Sequence, residues 1–190
     1  MKTLVLLILG ALLAGVLVAV YFIVGGVNAR AQPSAVEVSV AHAIRDTSLA
    51  IHTRGLTNPM PTATPEMIKE GMAHFADHCA VCHGTDGSGN TEMGRGLYPR
   101  PPDMRLAATQ NLSDAELFYI IENGVRLAGM PGWGNGTREG EMSSWHLISF
   151  IRHLPKMTDE EVAQMDDLIP RTPAEMQQRE EEKKFLSGAH

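Results

Sequence analysis

The sequence predicts an all-α chain with a membrane-spanning amino terminus, and three observations lead there. Leu4 to Val27 are 24 consecutive residues without a charge. Several later segments open on a Ser or Thr N-cap, and the clearest continue with apolar residues three and four apart, the spacing of one helix face. The stretches between them are too rich in Gly and Pro to hold a long element of any kind.

The amino terminus is the first element. A bilayer span takes about 20 apolar residues, whereas the apolar region of a signal peptide is about 7–15. Residues 1–27 therefore read as a transmembrane signal-anchor. Gly10, Gly15, Gly25 and Gly26 are tolerated in such a helix, and Tyr21 stands where an interfacial aromatic belongs. Ala29-Arg30-Ala31 before Gln32 resembles a cleavage site, so removal of the segment is the alternative.

Residues 28–63 read as a connector. Ser34-Ala35-Val36-Glu37 has the form of a capping box, with Val36, Val40, Ala43 and Ile44 at helical spacing. Val36, Val38 and Val40 also alternate like a strand, but a lone strand has no partner, which favours a short helix. Asn58-Pro59-Met60-Pro61-Thr62-Ala63-Thr64-Pro65 reads as an extended spacer that holds the following domain off the bilayer.

Thr64 is an N-cap with Pro65 at the first helical position, and Met67, Ile68, Met72 and Phe75 continue a helix over about 65–77. That helix delivers Cys79-Ala80-Val81-Cys82-His83. Cys-x-x-Cys-His is the pattern of c-type haem attachment: each thiol adds across one vinyl group of the porphyrin, and the histidine becomes an axial ligand. Cys79 and Cys82 are the only two cysteines, so none remains for a disulfide. Aromatic residues are 5 % of the chain, which makes a thin core that a buried haem would thicken. Two rival readings compete. A thioredoxin-like pair wants a βαβ setting, and a structural zinc needs four ligands, which would recruit His78 or His74.

Gly84 to Thr109 holds five glycines and then Pro99, Pro101 and Pro102, and reads as a loop wrapped on a cofactor. Ser113-Asp114-Ala115-Glu116 is a second capping box, starting a helix over about 113–123 that stops at Gly124. After the loop Val125–Glu141, Ser143 or Ser144 is expected to cap a helix that buries Trp145, Ile148, Phe150, Ile151 and Leu154 and ends at Pro155. Thr158 and Thr172 start two more helices. The last carries Glu180-Glu181-Glu182-Lys183-Lys184, a solvated face in an appendage over 156–190.

Over residues 64–155, about half the chain, this order of elements resembles a class I monohaem cytochrome c. The resemblance implies a cytochrome c-like haem domain in which a methionine before the last helix is the sixth iron ligand, a place occupied here by Met130 of Gly129-Met130-Pro131-Gly132-Trp133. Gly71 and Phe75 look like the first-helix positions that pack across the closing helix, against Trp145 and Phe150. The family usually has one proline shielding the histidine side of the haem. Tyr98-Pro99-Arg100-Pro101-Pro102 offers three. Met93, Met104 and Met142 are rivals to Met130, as are His42, His52, His74, His78, His146, His153 and His190. Trp133, Tyr98, Arg95, Arg100, Arg105 and Arg126 fall in loops expected to ring the haem, where arginine suits a propionate or an acidic partner.

Net charge is −6, and no basic block points to nucleic acid. The expectation is a membrane-anchored carrier of single electrons with one covalently bound haem c. His83 and Met130 would be its iron ligands, leaving no open site for a small-molecule substrate. The haem domain, residues 64–155, would face the periplasm from the bacterial inner membrane. Partners would be redox proteins in or at the membrane, with the bilayer itself held by the amino-terminal helix. Alternatives are a haem subunit of a specific dehydrogenase, or a peroxide- or nitric oxide-binding enzyme or sensor in which Met130 is labile. The intact mass of the membrane-extracted protein should equal the full chain plus one haem, and a product lacking residues 1–31 would report cleavage instead.

Overall fold

In a computed structural model, the structure describes residues 1–26 and 28–187; Val27, at the end of the expected span, and His190 lie outside the described residues. Every regular element among the described residues is helical. Helix α1, Lys2–Gly25, buries none of its side chains and is long and apolar enough to cross a membrane. At 1.5 Å per residue it measures about 36 Å, against a hydrocarbon core of about 30 Å.

The connector differs from expectation. Helix α2 runs over Ala35–His52, well past Ile44, because no Gly or Pro interrupts the chain before Gly55. Its capping box is formed: the Glu37 amide donates to Ser34 Oγ at 3.3 Å and the Ser34 amide to Glu37 Oε2 at 2.7 Å. The segment after it is not a free spacer. Leu56 and Met60 pack against the core, and the Asn58 side-chain amide donates to Asp114 Oδ2 at 2.8 Å. Two apolar side chains and one amide thus tie residues 56–60 down, where a free spacer would have left them in water.

Helix α3, Pro65–His78, is capped by the Thr64 hydroxyl. One-turn helices follow: α4, Ala80–His83, α5, Glu92–Arg95, and α6, Ala107–Gln110. Helix α7 spans Asp114–Asn123, with its Ser113–Glu116 capping box in place. Helix α8, Arg138–His153, begins six or seven residues before the expected start. Its N-cap is Thr137, whose hydroxyl accepts from the Gly140 amide at 3.1 Å, while Ser143 and Ser144 lie inside the helix. Gly at the third helical position leaves Thr137 without the acidic partner that signals a capping box. A turn of 3₁₀ helix over Leu154–Lys156 leads to α9, Asp159–Leu168, and α10, Pro173–Ser187.

The core is the crossing of α3 and α8. A Cβ on Gly71 would lie 2.7 Å from the His146 carbonyl carbon and 2.9 Å from Phe150 Cβ, so backbone meets backbone there. One turn further on, Phe75 and Phe150 pack with ring centroids 5.2 Å apart, both wholly buried. Leu117 and Ile121 of α7 close another side, and Phe118 stacks on Trp145 at 4.2 Å. Polar ties fix the register. Arg152 on α8 donates to the Gln110 carbonyl at 2.8 Å, to the Leu112 carbonyl and to Asp114 at 2.8 Å. The Gln110 side-chain amide donates to the carbonyls of Met104, at 2.7 Å, and Ile151, at 2.9 Å.

The appendage is divided between core and solvent. Met165 of α9 is 0 % exposed and belongs to the core, and His153 Nε2 pairs with Glu161 Oε1 at 2.9 Å. Helix α10 buries no residue. Met165→Ala should therefore cost about 2–5 kcal/mol in thermal unfolding of the holoprotein, whereas Met176→Ala on α10 should fall within about 0.5 kcal/mol of the parent.

Candidate haem site

Helix α3 ends on the first thiol. The Cys79 amide closes the helix on the Phe75 carbonyl at 2.8 Å. The amides of Cys82 and His83 then both return to the Cys79 carbonyl, at 3.1 and 2.9 Å. Residues three apart in one helical turn share a face, so both thiols project to the same side. Burial, with Cys82 adding to it, pushes the Cys79 thiol up to about 12, and burial raises Cys82 as well. A reactive redox cysteine requires the opposite shift, toward thiolate at neutral pH. Among the described residues, no group of three or more His, Cys, Asp or Glu is placed to hold a metal ion, so these thiols find no zinc-site companions.

His83 is half-buried, and its Nδ1 is enclosed without a hydrogen-bond partner. Burial lowers its pKa, while the nearby Pro102 backbone pulls the other way without reaching good hydrogen-bond geometry. The product is a neutral imidazole, the protonation state that has a lone pair to give to iron. The Pro102 backbone lies near this ring.

The loop after α4 secures the turn from below. The Gly89 amide donates to the His83 carbonyl at 2.7 Å, and the Thr91 hydroxyl donates to the carbonyls of Val81, at 2.9 Å, and Cys82, at 3.1 Å. These bonds satisfy carbonyls that a one-turn helix leaves open. The Met104 amide donates to the Gly87 carbonyl at 2.8 Å, which draws the proline stretch in beside His83.

Met130 lies half-buried in a loop clamped to the end of α7. The Val125 amide donates to its carbonyl at 3.1 Å, the Trp133 amide to the Ile121 carbonyl at 2.9 Å, and the Gly134 amide to the Glu122 carbonyl at 3.0 Å. A Cβ on Gly124, which has φ +69°, would come within 2.5 Å of the Gly132 nitrogen and 2.7 Å of the Met130 carbonyl oxygen. One contact brings this loop beside the cysteine turn, and another joins it to the segment after α5. Gly129 packs on Leu97, and the Trp133 ring meets the ring of His78, the residue before Cys79, edge-on at 4.9 Å.

The rivals are placed elsewhere. Met104 is part of the core, Met142 packs at its edge and Met93 is exposed. His146 pairs with Glu70 at 2.7 Å and His153 with Glu161, while His52 stacks on Tyr119. His42 is exposed. His74 and His78 pack edge to face, 4.9 Å apart. Of the arginines, Arg105 is taken by Asp103 at 2.7 Å and Asp86 at 3.0 Å, and Arg95 donates to Asn90 at 3.0 Å. Arg100 and Arg126 are exposed.

The donor set fits a covalently held haem: two protonated thiols on one turn, a neutral imidazole, and a thioether on a loop that meets His78 beside that turn. Apolar surface is exposed on the turn itself, at Val81, and on the two loops that follow it, at Met93 and at Leu127, the last to 92 %. Residues 66–151 match the family model described as cytochrome c oxidase, cbb3-type, subunit III. The segment is a c-type cytochrome domain.

Curated relatives share it. The cbb3-type cytochrome c oxidase subunit FixP of Azorhizobium caulinodans is 33 % identical over 96 residues, which are 46 % of this chain and 27 % of that protein. The subunit FixPc of Rhizobium leguminosarum bv. viciae is 28 % identical over 106 residues, 56 % of this chain and 33 % of its own. A 30-residue stretch is 53 % identical to FixP of Sinorhizobium medicae, covering 16 % of this chain and 10 % of that one. The chain thus spans a third or less of the length of these relatives. A c-type cytochrome domain carries covalently bound haem c with its iron.

The cytochrome domain's Met130 loop depends on Gly124. Gly124→Ala should destabilise the holoprotein by about 1–3 kcal/mol through overpacking on Pro131 and Gly132, and should speed hydrogen exchange at the Trp133 and Gly134 amides. Gly136→Ala is the control: it has a similar φ of +71° but open space around it. It should show the backbone strain without the faster exchange.

Proposed function

We propose that the chain is a membrane-anchored c-type cytochrome that carries one electron at a time, with Cys79 and Cys82 as the thioether anchors and His83 and Met130 as the two axial ligands. When bound, haem iron supplies a one-electron ferric–ferrous couple. The protein's part is to hold that couple in place. Helix α3 and the Thr91 bonds fix the thiols, burial keeps His83 neutral, and the clamp on α7 keeps Met130 from drifting. The clamp is the observation that carries the reading, since a loop with two backbone bonds to α7 and a third closing it on itself at Met130 is poorly suited to swing aside for a substrate. The carrier reading is favoured over a peroxide- or nitric oxide-binding enzyme for that reason.

Its redox partners are proposed to lie in or at the membrane, and an oxidase of the cbb3 type is the acceptor complex that the relatives support. In that assembly the chain would be an electron-carrying component and not the catalytic one. Attachment of haem to a Cys-x-x-Cys-His turn takes place outside the bacterial inner membrane, which supports a periplasmic domain and a cytoplasmic amino terminus. The domain limits 28–63, 64–155 and 156–190 go with this proposal, amended by the core positions of Leu56, Met60 and Met165.

Visible spectroscopy tests the ligand set. The ferric protein should show a red-end charge-transfer band from sulfur ligation. Met130→Ala should abolish it and lower the reduction potential on the order of 0.1 V or more, within the roughly 0.8 V that axial ligation commands. A high-spin ferric spectrum in the unaltered protein would overturn the carrier reading.

A further inference from the structure

Helix α2 has two opposite faces, and only one of them is used by the haem domain. On the domain side Leu49 is buried, Glu37 Oε1 accepts from the Tyr98 hydroxyl at 3.0 Å, and His52 stacks on Tyr119 at 5.2 Å. The other side carries Val36, Val40, Ala43, Ile44, Thr47 and Ile51. These stand at i, i+4, i+7, i+8, i+11 and i+15, a continuous stripe on one helix face. Val36, Val40, Ile44 and Ile51 are each between 53 % and 72 % exposed. The stripe holds no charge. Its one hydroxyl is satisfied within the helix, since Thr47 Oγ1 donates to the Ala43 carbonyl at 2.7 Å.

We propose that this stripe rests on the bilayer surface, so that α2 lies as a raft between the lipid and the haem domain. The occupant follows from continuity with the span. Only nine residues, 26–34, separate α1 from α2, a reach of at most about 30 Å even if fully extended. The actual approach is closer: the hydroxyl of Tyr21, one turn before the end of α1, donates to Glu37 Oε2 at 3.4 Å. Tyr21 is an interfacial aromatic in a helix of this kind, so the first turn of α2 sits at the level of the headgroups. From there an uncharged apolar stripe can bury itself in the headgroup–acyl boundary, as monotopic helices do. Such helices usually add Lys or Arg for affinity. Here the covalent tether to α1 supplies a high effective concentration of membrane, and a modest apolar face is enough.

The same carboxylate joins all three parts. Glu37 takes Tyr21 of the anchor on one oxygen and Tyr98 of the haem domain on the other. The haem domain would then hang from the membrane in one orientation, with the Tyr98–Pro102 stretch beside the bilayer, and would not sweep around on a loose tether. That fixed pose favours partners embedded in the same membrane.

This inference rests on α1 spanning the bilayer, and the test separates the two. Full-length holoprotein is placed in phosphatidylcholine–phosphatidylglycerol nanodiscs at one copy per disc, with the haem iron reduced. Single spin labels are introduced through Val40→Cys, Ile44→Cys and Ile51→Cys on the stripe, and through Asp46→Cys off it. The stripe labels should favour dissolved oxygen over an aqueous nickel chelate several-fold in relaxation, and the Asp46→Cys label should show the reverse. Stripe labels as open to nickel as the Asp46→Cys label would overturn the raft. So would a dry stripe that appears only in discs holding two copies, with dipolar broadening between Ile44→Cys labels, which assigns the face to a second copy of the chain. Protein washed from the discs by carbonate would instead refute the span itself.

Discussion

The close crossing of α3 over α8 at Gly71 is the constraint on which the haem domain depends. With no Cβ at that position, the α3 backbone rests directly on the His146 carbonyl and on Phe150. Close-packed interiors give little room to yield, so any side chain there would push the helices apart along their length. The Gly71 contact sets Phe75 against Phe150, and four residues after Phe75 the chain delivers Cys79. Helix α8 in turn holds α7 through Trp145 and Arg152, and α7 holds the Met130 loop on its last carbonyls. The cysteine turn and the Met130 loop thus both descend from one helix pair.

Electrostatics works with this geometry. A buried thiol and a buried imidazole both prefer to be neutral, because a low-dielectric setting penalises the charged form. Cys79 stays protonated and His83 stays unprotonated for the same reason. For a redox thiol pair that would be a defect. For a site that awaits a large apolar cofactor it is the required condition, since no stranded charge has to be removed when the group is seated. The carbonyls of α4, by contrast, stay satisfied through Gly89 and Thr91 without any help from the cofactor.

The segments on either side of the domain are more committed than a tether and a tail. Leu56 and Met60 pack on the core from the amino-terminal side, and Met165 enters it from the carboxy-terminal side. A small domain with few aromatic residues gains from each added apolar contact, because a modest core offsets chain entropy only narrowly. The hydrogen bond between His153 and Glu161 and that of Asn58 to Asp114 set where these additions sit.

Much of this was legible in the chain itself. The membrane helix follows from 24 uncharged residues, the helix starts at Ser34, Thr64, Ser113 and Thr158 from local capping chemistry, and the haem motif from five contiguous residues. All are short-range properties, encoded where they act. The start of α8 was missed because Thr137 pairs with a glycine three residues on, and a half-formed cap leaves no pattern to read. The approach of Pro102 to His83, the core position of Met104, the pairing of His146 and the clamp on the Met130 loop came only with the tertiary structure. Each depends on what a residue distant in sequence places beside it: the core around the Met104 side chain, Glu70 on His146, Gly132 on Gly124. Periodicity marks a residue as apolar or a helix as capped, but it cannot say what will stand opposite, and at this site the opposite partner decides the role.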